Sequence, residues 1–305
     1  MKQFKKLSEF LLNDRGFNAK YYIDNKVIKI NEFFEVNKLD SCVIGISGGI
    51  DSAVVYKLLK LASEQEGSPI KIIKPLLLPI NSPGITGQSE AISFGEKVIE
   101  VFDGSSTMYL SSIAQSYSNF FPDATPWTQG QIASIVRTPI LYGQASYLQQ
   151  KGYKSIVVGT TNRDEGAYIG FYGKASDAMV DLQPIADIHK LEVIAIAKLL
   201  SVPKEIIERV PTGDVYDGST DEETIGAPYW FIQLYLLNKQ YLSKNQIDPF
   251  FYEFRIMFTD EENSLWGKYS KNIEELHRIN AHKYEVGVPS HFIDLMDRKI
   301  FKGWK

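Results

Sequence analysis

The residues best suited to chemistry in this 305-residue chain form one short run, Ser47-Gly48-Gly49-Ile50-Asp51-Ser52. Two successive glycines let a backbone turn tightly and bring its N–H groups against a phosphate, and a helix starting there adds the positive end of its dipole. Ser47 and Ser52 can donate hydroxyl hydrogen bonds to the same oxygens. A Walker loop counted from Gly45 would need Gly and Lys where the chain has Ile50 and Asp51, and the pattern GxGxxG is absent. An acid has replaced the Walker lysine. A carboxylate beside a polyphosphate is repulsive unless a cation bridges them, so Asp51 implies Mg2+ between protein and polyphosphate. The bland alternative is a glycine-rich helix cap with no ligand.

Such a loop works only between a strand and a helix, and the flanking residues predict both. CVIGI at 42–46 reads as a buried strand, and 51–63 as a helix with Val54, Val55, Leu58, Leu59 and Ala62 inward. Further strands are expected at 70–78, 108–110 and 155–159, and a helix at 89–100. The run 128–150 has the 3.6-residue period of a helix with one buried face, but Pro139 sits inside it. An interior proline costs a helix about 3 kcal/mol, which predicts a break near Val136. Helices are also expected at 190–200, 204–208, 222–237 and 271–282, and over the first 17 residues. This alternation predicts an α/β fold, a doubly wound parallel sheet with helices on both faces. No internal repeat or low-complexity linker divides the chain, so one domain over 1–305 is expected.

With those elements in place, SGGIDS resembles the SGGxDS loop of the N-type ATP pyrophosphatases, whose chemistry is ATP to AMP plus pyrophosphate. The stretch GTTNRDEGAYIGFYGKASDAMVDLQPI and the later PTGD, DEETIGAPY and HKYEVGVP are similar, in order, to NAD synthases. That resemblance implies an adenine nucleotide alpha hydrolase-like, Rossmann-like fold. It implies a homodimer that adenylates the carboxylate of nicotinate adenine dinucleotide with ATP and displaces AMP with ammonia. On it, Ser47, Gly48, Gly49, Asp51, Ser52, Thr160, Lys190 and Thr212 would bind ATP. Asp51 and Lys190 would serve catalysis, and Asp51 and Glu165 would carry Mg2+. Gln131, Arg137, Lys174, Asp177, Asp181, His282 and Lys283 would face the dinucleotide. Several positions have a plainer alternative. Glu165 is separated from Gly170 by one residue more than is usual, and Asp164 beside it could be the ligand instead. Lys174 and Asp177 could be a surface ion pair, Asp181 could end a strand, and His282 and Lys283 could cap a helix.

The acceptor half departs from the family pattern. An Asn-x-x-Ala-Arg-x-Arg-Met segment is usual, and here it is Gln131 to Thr138, with Ile135 at the first arginine, Arg137 at the second and Pro139 just behind. Ala178-Met179 stands where Gly-Gly is usual. The alternatives are therefore a paralogue that amidates another carboxylate, or a nucleotide-binding regulator without turnover.

Composition bounds the remainder. Net charge is −4, with 33 basic and 37 acidic residues dispersed along the chain, which favours neither nucleic acid nor a membrane surface. The apolar run 193–200 contains Lys198 and falls far short of the roughly 20 residues that span a bilayer. Glu9, Asn13 and Asp14 interrupt any signal-peptide core, so a cytoplasmic location is expected. Cys42 is the one cysteine, which forbids an internal disulfide and a cysteine zinc site. It is expected in the core, so nitrogen would come from free ammonia or a separate glutaminase chain.

Overall fold

A strand buried on both faces needs apolar side chains at every position, and Cys42, Val43 and Ile44 supply them, each fully buried. A computed structural model describes residues 1–80, 93–98, 106–212, 219–245, 249–285, 291–293 and 295–296. In it β1 (Ser41–Gly45) pairs in parallel with β2 (Ile72–Leu77) on one side and β4 (Ser155–Val158) on the other. With β3 (Ser106–Thr107), β5 (Leu182–Gln183) and β6 (His291–Phe292) the sheet order is β3-β2-β1-β4-β5-β6, and every pair is parallel. The chain runs outward from β1 to β2 and β3, then crosses back to β4. That reversal makes a switch point between β1 and β4, where open parallel sheets form a crevice beyond their carboxyl ends.

Helices α1 (Lys2–Arg15), α2 (Ala19–Val36) and α3 (Ile50–Ser63) come first in the chain, with β1 between α2 and α3. They are followed by α4 (Ser111–Ser118), α5 (Pro126–Ile135), α6 (Arg137–Gln150), α7 (Lys190–Leu199) and α8 (Lys204–Glu208). Cys42, Ile44 and Val158 pack with α2, α3 and α7, whereas Val43, Leu76 and Val157 pack with α5 and α6. The period-2 alternation of the strands thus feeds two cores, one per face, as a doubly wound sheet requires. A third cluster joins α1 to α9 (Asp221–Ile225), α10 (Tyr229–Asn245) and α12 (Asp260–Ile279) through Phe4, Leu7, Ile225, Phe231 and Trp266. Two further helices, α11 (Pro249–Ile256) and α13 (His282–Glu285), flank α12.

The break expected near Val136 is present: α5 ends at Ile135 and α6 begins at Arg137. Pro139 then lies in the first turn of α6, where its missing N–H has no intrahelical partner to lose. Other expectations shift. The helix expected over 222–237 divides at Gly226, a left-handed cap, with Pro228 following. The one expected over 271–282 starts at Asp260, behind a capping box of Thr259 and Glu262, and stops before Asn280. The strand expected at 108–110 lies two residues earlier, although Met108 N–H still bonds Leu77 O and Leu110 N–H bonds Pro79 O. Of the helix expected at 89–100, residues 93–98 are helical and the rest lie outside the described residues. Helix α2 and strands β5 and β6 had no counterpart in the sequence reading.

At the switch point β4 is followed by Gly159, and there a side chain has no room. A Cβ on Gly159 would lie 2.6 Å from Gln183 Oε1 and 2.7 Å from Val180 Cγ2. Gln183 is the buried amide that accepts from Thr161 N–H (3.1 Å) and donates to Asp177 O (2.9 Å), so it ties the loop after β4 to the loop before β5. Gly159→Ala should therefore lower unfolding stability by about 1–3 kcal/mol through overpacking, as read from the urea midpoint.

Candidate active site

The crevice at the switch point is a cavity of about 630 Å3. Its floor is the loop after β1. Gly48 adopts a left-handed φ of 79°, and Gly49 stands at the N-cap of α3 with no side chain capping the helix. The first-turn N–H groups of α3 thus have no side-chain acceptor from the N-cap. Ser47 and Ser52 share a 3.2 Å hydroxyl contact, Ser52 Oγ donates to Gly49 O (2.9 Å), and Ser47 Oγ accepts from Gly49 N–H (3.2 Å). Ser52 is buried and does not line the cavity. In this structure Ser52 braces the loop, and Ser47 is the hydroxyl that faces the crevice.

Above the loop, Lys190 at the start of α7 joins the two acids singled out from sequence. Its Nζ lies 2.5 Å from Asp51 Oδ2 and 3.1 Å from Glu165 Oε1. Asn162 Nδ2 donates to Asp51 Oδ1 (3.0 Å), and its Oδ1 accepts from Glu165 N–H (3.2 Å). The Tyr229 hydroxyl reaches Glu165 Oε1 at 3.0 Å and Asp221 Oδ2 at 3.3 Å, and Lys190 Nζ sits 5.2 Å from the Tyr229 ring centroid. Asn162, Asp221 and Tyr229 are thus site residues that motif reading passed over. All three lie inside runs compared with the family, but their types alone indicated only a loop and a helix.

The extra residue between Glu165 and Gly170 has a structural answer. Residues Asp164–Ile169 form a π-helical turn, closed by Gly170 at φ 68°, whose N–H reaches Glu165 O. A π-turn takes up one surplus residue without displacing what precedes it, so Glu165 still faces the cavity. Asp164 does not face it. Its carboxylate is fully buried, accepting from the N–H of Lys190 (2.7 Å) and lying 2.6 Å from His189 Nδ1.

The other expected residues divide. Thr160, Thr212, Gln131, Arg137, Asp177 and Lys283 all line the cavity. Arg137 Nε donates to Leu78 O (3.0 Å), and Lys283 Nζ donates to the carbonyls of Gly170 (2.7 Å) and Tyr172 (2.6 Å). Asp181 lies elsewhere: it accepts from Val157 N–H (2.7 Å) and Tyr142 Oη (3.2 Å), so it ties β4 to α6 and does not face the cavity. Lys174 and His282 also lie outside the lining, with Lys174 Nζ donating to His282 O (2.8 Å). Lys174 and Asp177 make no ion pair. Ile135 and Met179 are each 37% exposed and off the cavity wall, where Ser134 and Val180 stand instead. Of the changes expected to alter the acceptor end, Gln131 lines the cavity, whereas Ile135 and Met179 do not.

Comparison with known proteins agrees with this geometry. The NAD synthase family model matches residues 22–286, which spans β1 to α13 and every residue of the crevice named above. The chain belongs to the NAD synthase family. It is 34% identical over 209 residues to the NH3-dependent NAD+ synthetase of Thermoplasma volcanium, covering 67% of this chain and 79% of that one. The corresponding protein of Sulfurisphaera tokodaii is 28% identical over 288 residues, 92% of this chain and 91% of that one. Among solved structures, NMN synthetase from Francisella tularensis superposes with a TM-score of 0.66 at 24% identity, covering 88% of this chain and 96% of that one. NAD+ synthetase from Burkholderia pseudomallei gives 0.55 at 21%, covering 80% and 96%. These structures share the adenine nucleotide alpha hydrolase-like fold.

For a member of the NAD synthase family the electrostatics of the crevice are informative. Burial opposes the charge on Lys190, but Asp51 and Glu165 outweigh it and hold the ammonium well above its ordinary pKa. Burial pushes Glu165 up to about 7; Lys190 pulls against this, and the Asp51 and Asp221 carboxylates add to it. Three carboxylates, Asp51, Glu165 and Asp221, act on that one ammonium, so positive charge is locally short around Lys190. Among the described residues no group of three His, Cys, Asp or Glu could hold a metal alone. The donor set of Asp51 and Glu165 fits Mg2+, which takes one or two carboxylates and completes its shell with water and phosphate oxygens.

The raised pKa has a consequence for stability. A carboxyl with a folded pKa near 7 instead of 4.5 contributes stability below about pH 4.5 that is lost as pH rises through 7. Glu165→Gln, which cannot ionise, should therefore raise the thermal midpoint at pH 8 by about 2–4 °C and by less at pH 5. Scanning calorimetry without divalent cations reads that difference.

Proposed function

We propose that this chain makes NAD: it adenylates the carboxylate of nicotinate adenine dinucleotide with ATP, and ammonia then displaces AMP. The observation that carries the reading is the Lys190 bridge between Asp51 and Glu165 above an uncapped helix N-terminus, in a chain of this family. Loop N–H groups and Ser47 hold the polyphosphate, and Thr160 and Thr212 orient the nucleotide. Lys190 stays protonated and neutralises charge as the α–β phosphate bond breaks and the carboxylate oxygen bonds the α-phosphorus. Mg2+, held by Asp51 and Glu165 when bound, would supply the positive charge that the pyrophosphate leaving group needs. Gln131, Arg137, Asp177 and Lys283 line the end where the acceptor would lie.

Nitrogen enters as free ammonia or from a separate glutaminase. Cys42 cannot attack glutamine, because burial in β1 pushes its thiol up to about 12. Tyr117, Phe120, Phe121 and Trp127, in and between α4 and α5, are each at least half exposed, which supports a homodimer that covers them. No described helix is long and apolar enough to cross a membrane, in keeping with a cytoplasmic enzyme.

A second reading keeps the chemistry and changes the acceptor. With the Arg137 Nε already bonded to Leu78 O, part of the guanidinium at the acceptor end is committed to the backbone, which favours an acceptor with fewer phosphates than a dinucleotide. A carboxylate with one phosphate, such as nicotinate mononucleotide, meets that condition, and the fold is shared with an NMN synthetase.

Purified protein with ATP, Mg2+, ammonium and either acid should release AMP and pyrophosphate in equal amounts; ADP and orthophosphate would overturn the assignment. Which acid yields its amide decides between the two acceptors. Asp51→Asn should lower kcat by about a hundredfold or more with an unchanged circular dichroism spectrum.

A further inference from the structure

The reactive cluster is assembled from neighbours of a second, fully buried cluster. Glu165 follows Asp164, and Lys190 follows His189. Asp164 and His189 bond each other at 2.6 Å, and the second oxygen of Asp164 accepts the N–H of Lys190 at 2.7 Å. Beside them Arg163 N–H donates to Ile188 O (2.8 Å). One carboxylate thus clamps the backbone that carries Glu165 to the backbone that carries Lys190. It also sits at the N-terminus of α7, where a negative charge meets the positive end of the helix dipole.

His189 serves that clamp. Burial keeps its pKa below the ordinary value, with Asp164 pulling the other way, so the ring is neutral and its Nδ1–H donates to the carboxylate. Its Nε2 has no hydrogen-bond partner among the described residues. The N–H of His189 donates to Glu192 Oε2 (2.8 Å), and Glu192 is gripped by Arg15 at the end of α1. Arg15 Nη2 lies 2.7 Å from Glu192 Oε2 and 3.0 Å from Asp187 O, and Nε bonds Glu192 Oε1. The Arg15 and Glu192 side chains are 3% and 4% exposed. Arg15 lies outside residues 22–286, the stretch that matches the family.

We infer that Arg15, His189 and Asp164 are positioning residues: a buried relay from the first helix fixes the start of α7 and so aims Lys190 at Asp51 and Glu165. A lysine side chain has four rotatable bonds and settles in one pose only when its backbone and its partners are both held. The relay holds the backbone, and the two carboxylates hold the amine. The inference rests on the proposed reaction only for what Lys190 does, not for where it is held.

The test uses the full chain and limited acetylation with acetic anhydride, read by peptide mass spectrometry. Ion-paired and buried, Lys190 should label slowly in the wild type, as should Lys57, which bonds the carbonyls at the other end of α7. In Asp164→Asn and Arg15→Met, Lys190 should label about fivefold faster or more while Lys57 stays within about twofold, and Arg15→Lys should restore part of the protection. In the same variants kcat should fall about tenfold with KM for ATP moving less than about threefold, since the loop still binds phosphate. Arg15→Lys keeps the charge and carries the test should Arg15→Met unfold. Unchanged labelling of Lys190 in folded variants would overturn the inference, as would a parallel rise at Lys57, which would mean general loosening. If the wild type makes neither amide yet the labelling pattern holds, the positioning role stands and the proposed reaction falls.

Discussion

One ammonium held between two carboxylates, out of bulk water, constrains the rest of this molecule. Taking Asp51, Glu165 and Lys190 from solvent is unfavourable for each alone, and the arrangement persists only because the three meet at hydrogen-bond distance. They come from three separate places: the first turn of α3, a π-turn after β4, and the first residue of α7. Elements that share no sequence neighbourhood must therefore agree to within a fraction of an ångström. Much of the surrounding structure serves that agreement.

The sheet supplies the coarse part of it. Because β1 and β4 are parallel neighbours, the loops that leave them open on the same edge, and the reversal of chain direction there keeps helices from closing the crevice. Fine adjustment comes from polar side chains inside the protein. Gln183 ties the loop after β4 to the loop before β5, Asn162 ties Asp51 to the π-turn, and Tyr229 reaches in from α10 to steady Glu165. Each of these groups is satisfied, as buried polar groups must be if they are to specify a structure. The helical cluster built on α1, α10 and α12 is thereby more than a flank: it delivers Tyr229 and, through α1, Arg15.

The imbalance of charge in the crevice is also informative. Where Asp51, Glu165 and Asp221 crowd one ammonium, the local surplus of carboxylate is unfavourable by itself, a compromise found where function asks for electrostatics that stability does not. Lys190 offsets part of the surplus, while burial, with Asp51 and Asp221 adding to it, keeps the Glu165 pKa raised.

By itself the sequence determined the glycine-rich turn between β1 and α3, the parallel α/β sheet and the break at Val136. Each of these is local physics: two glycines before a helix, apolar runs of strand length, a proline inside a helical period. It also supplied Asp51, Lys190 and Glu165 through resemblance, but not the choice between Glu165 and Asp164. That choice depended on how one surplus residue is absorbed, and the π-turn that absorbs it is decided by packing against α10 and α12. Likewise Asp181 and Ser52 have the types of ligand residues, yet they brace the backbone, because their partners are 24 residues away in one case and within the loop itself in the other. Ile135 and Met179 looked like changes to the acceptor wall and are partly exposed off it instead, with their neighbours Ser134 and Val180 on the wall. Asn162, Asp221, Tyr229 and the relay from Arg15 had no signal in spacing at all. Their roles arise from contacts between residues as many as 177 positions apart, and only the tertiary structure brings such residues within reach of one proton.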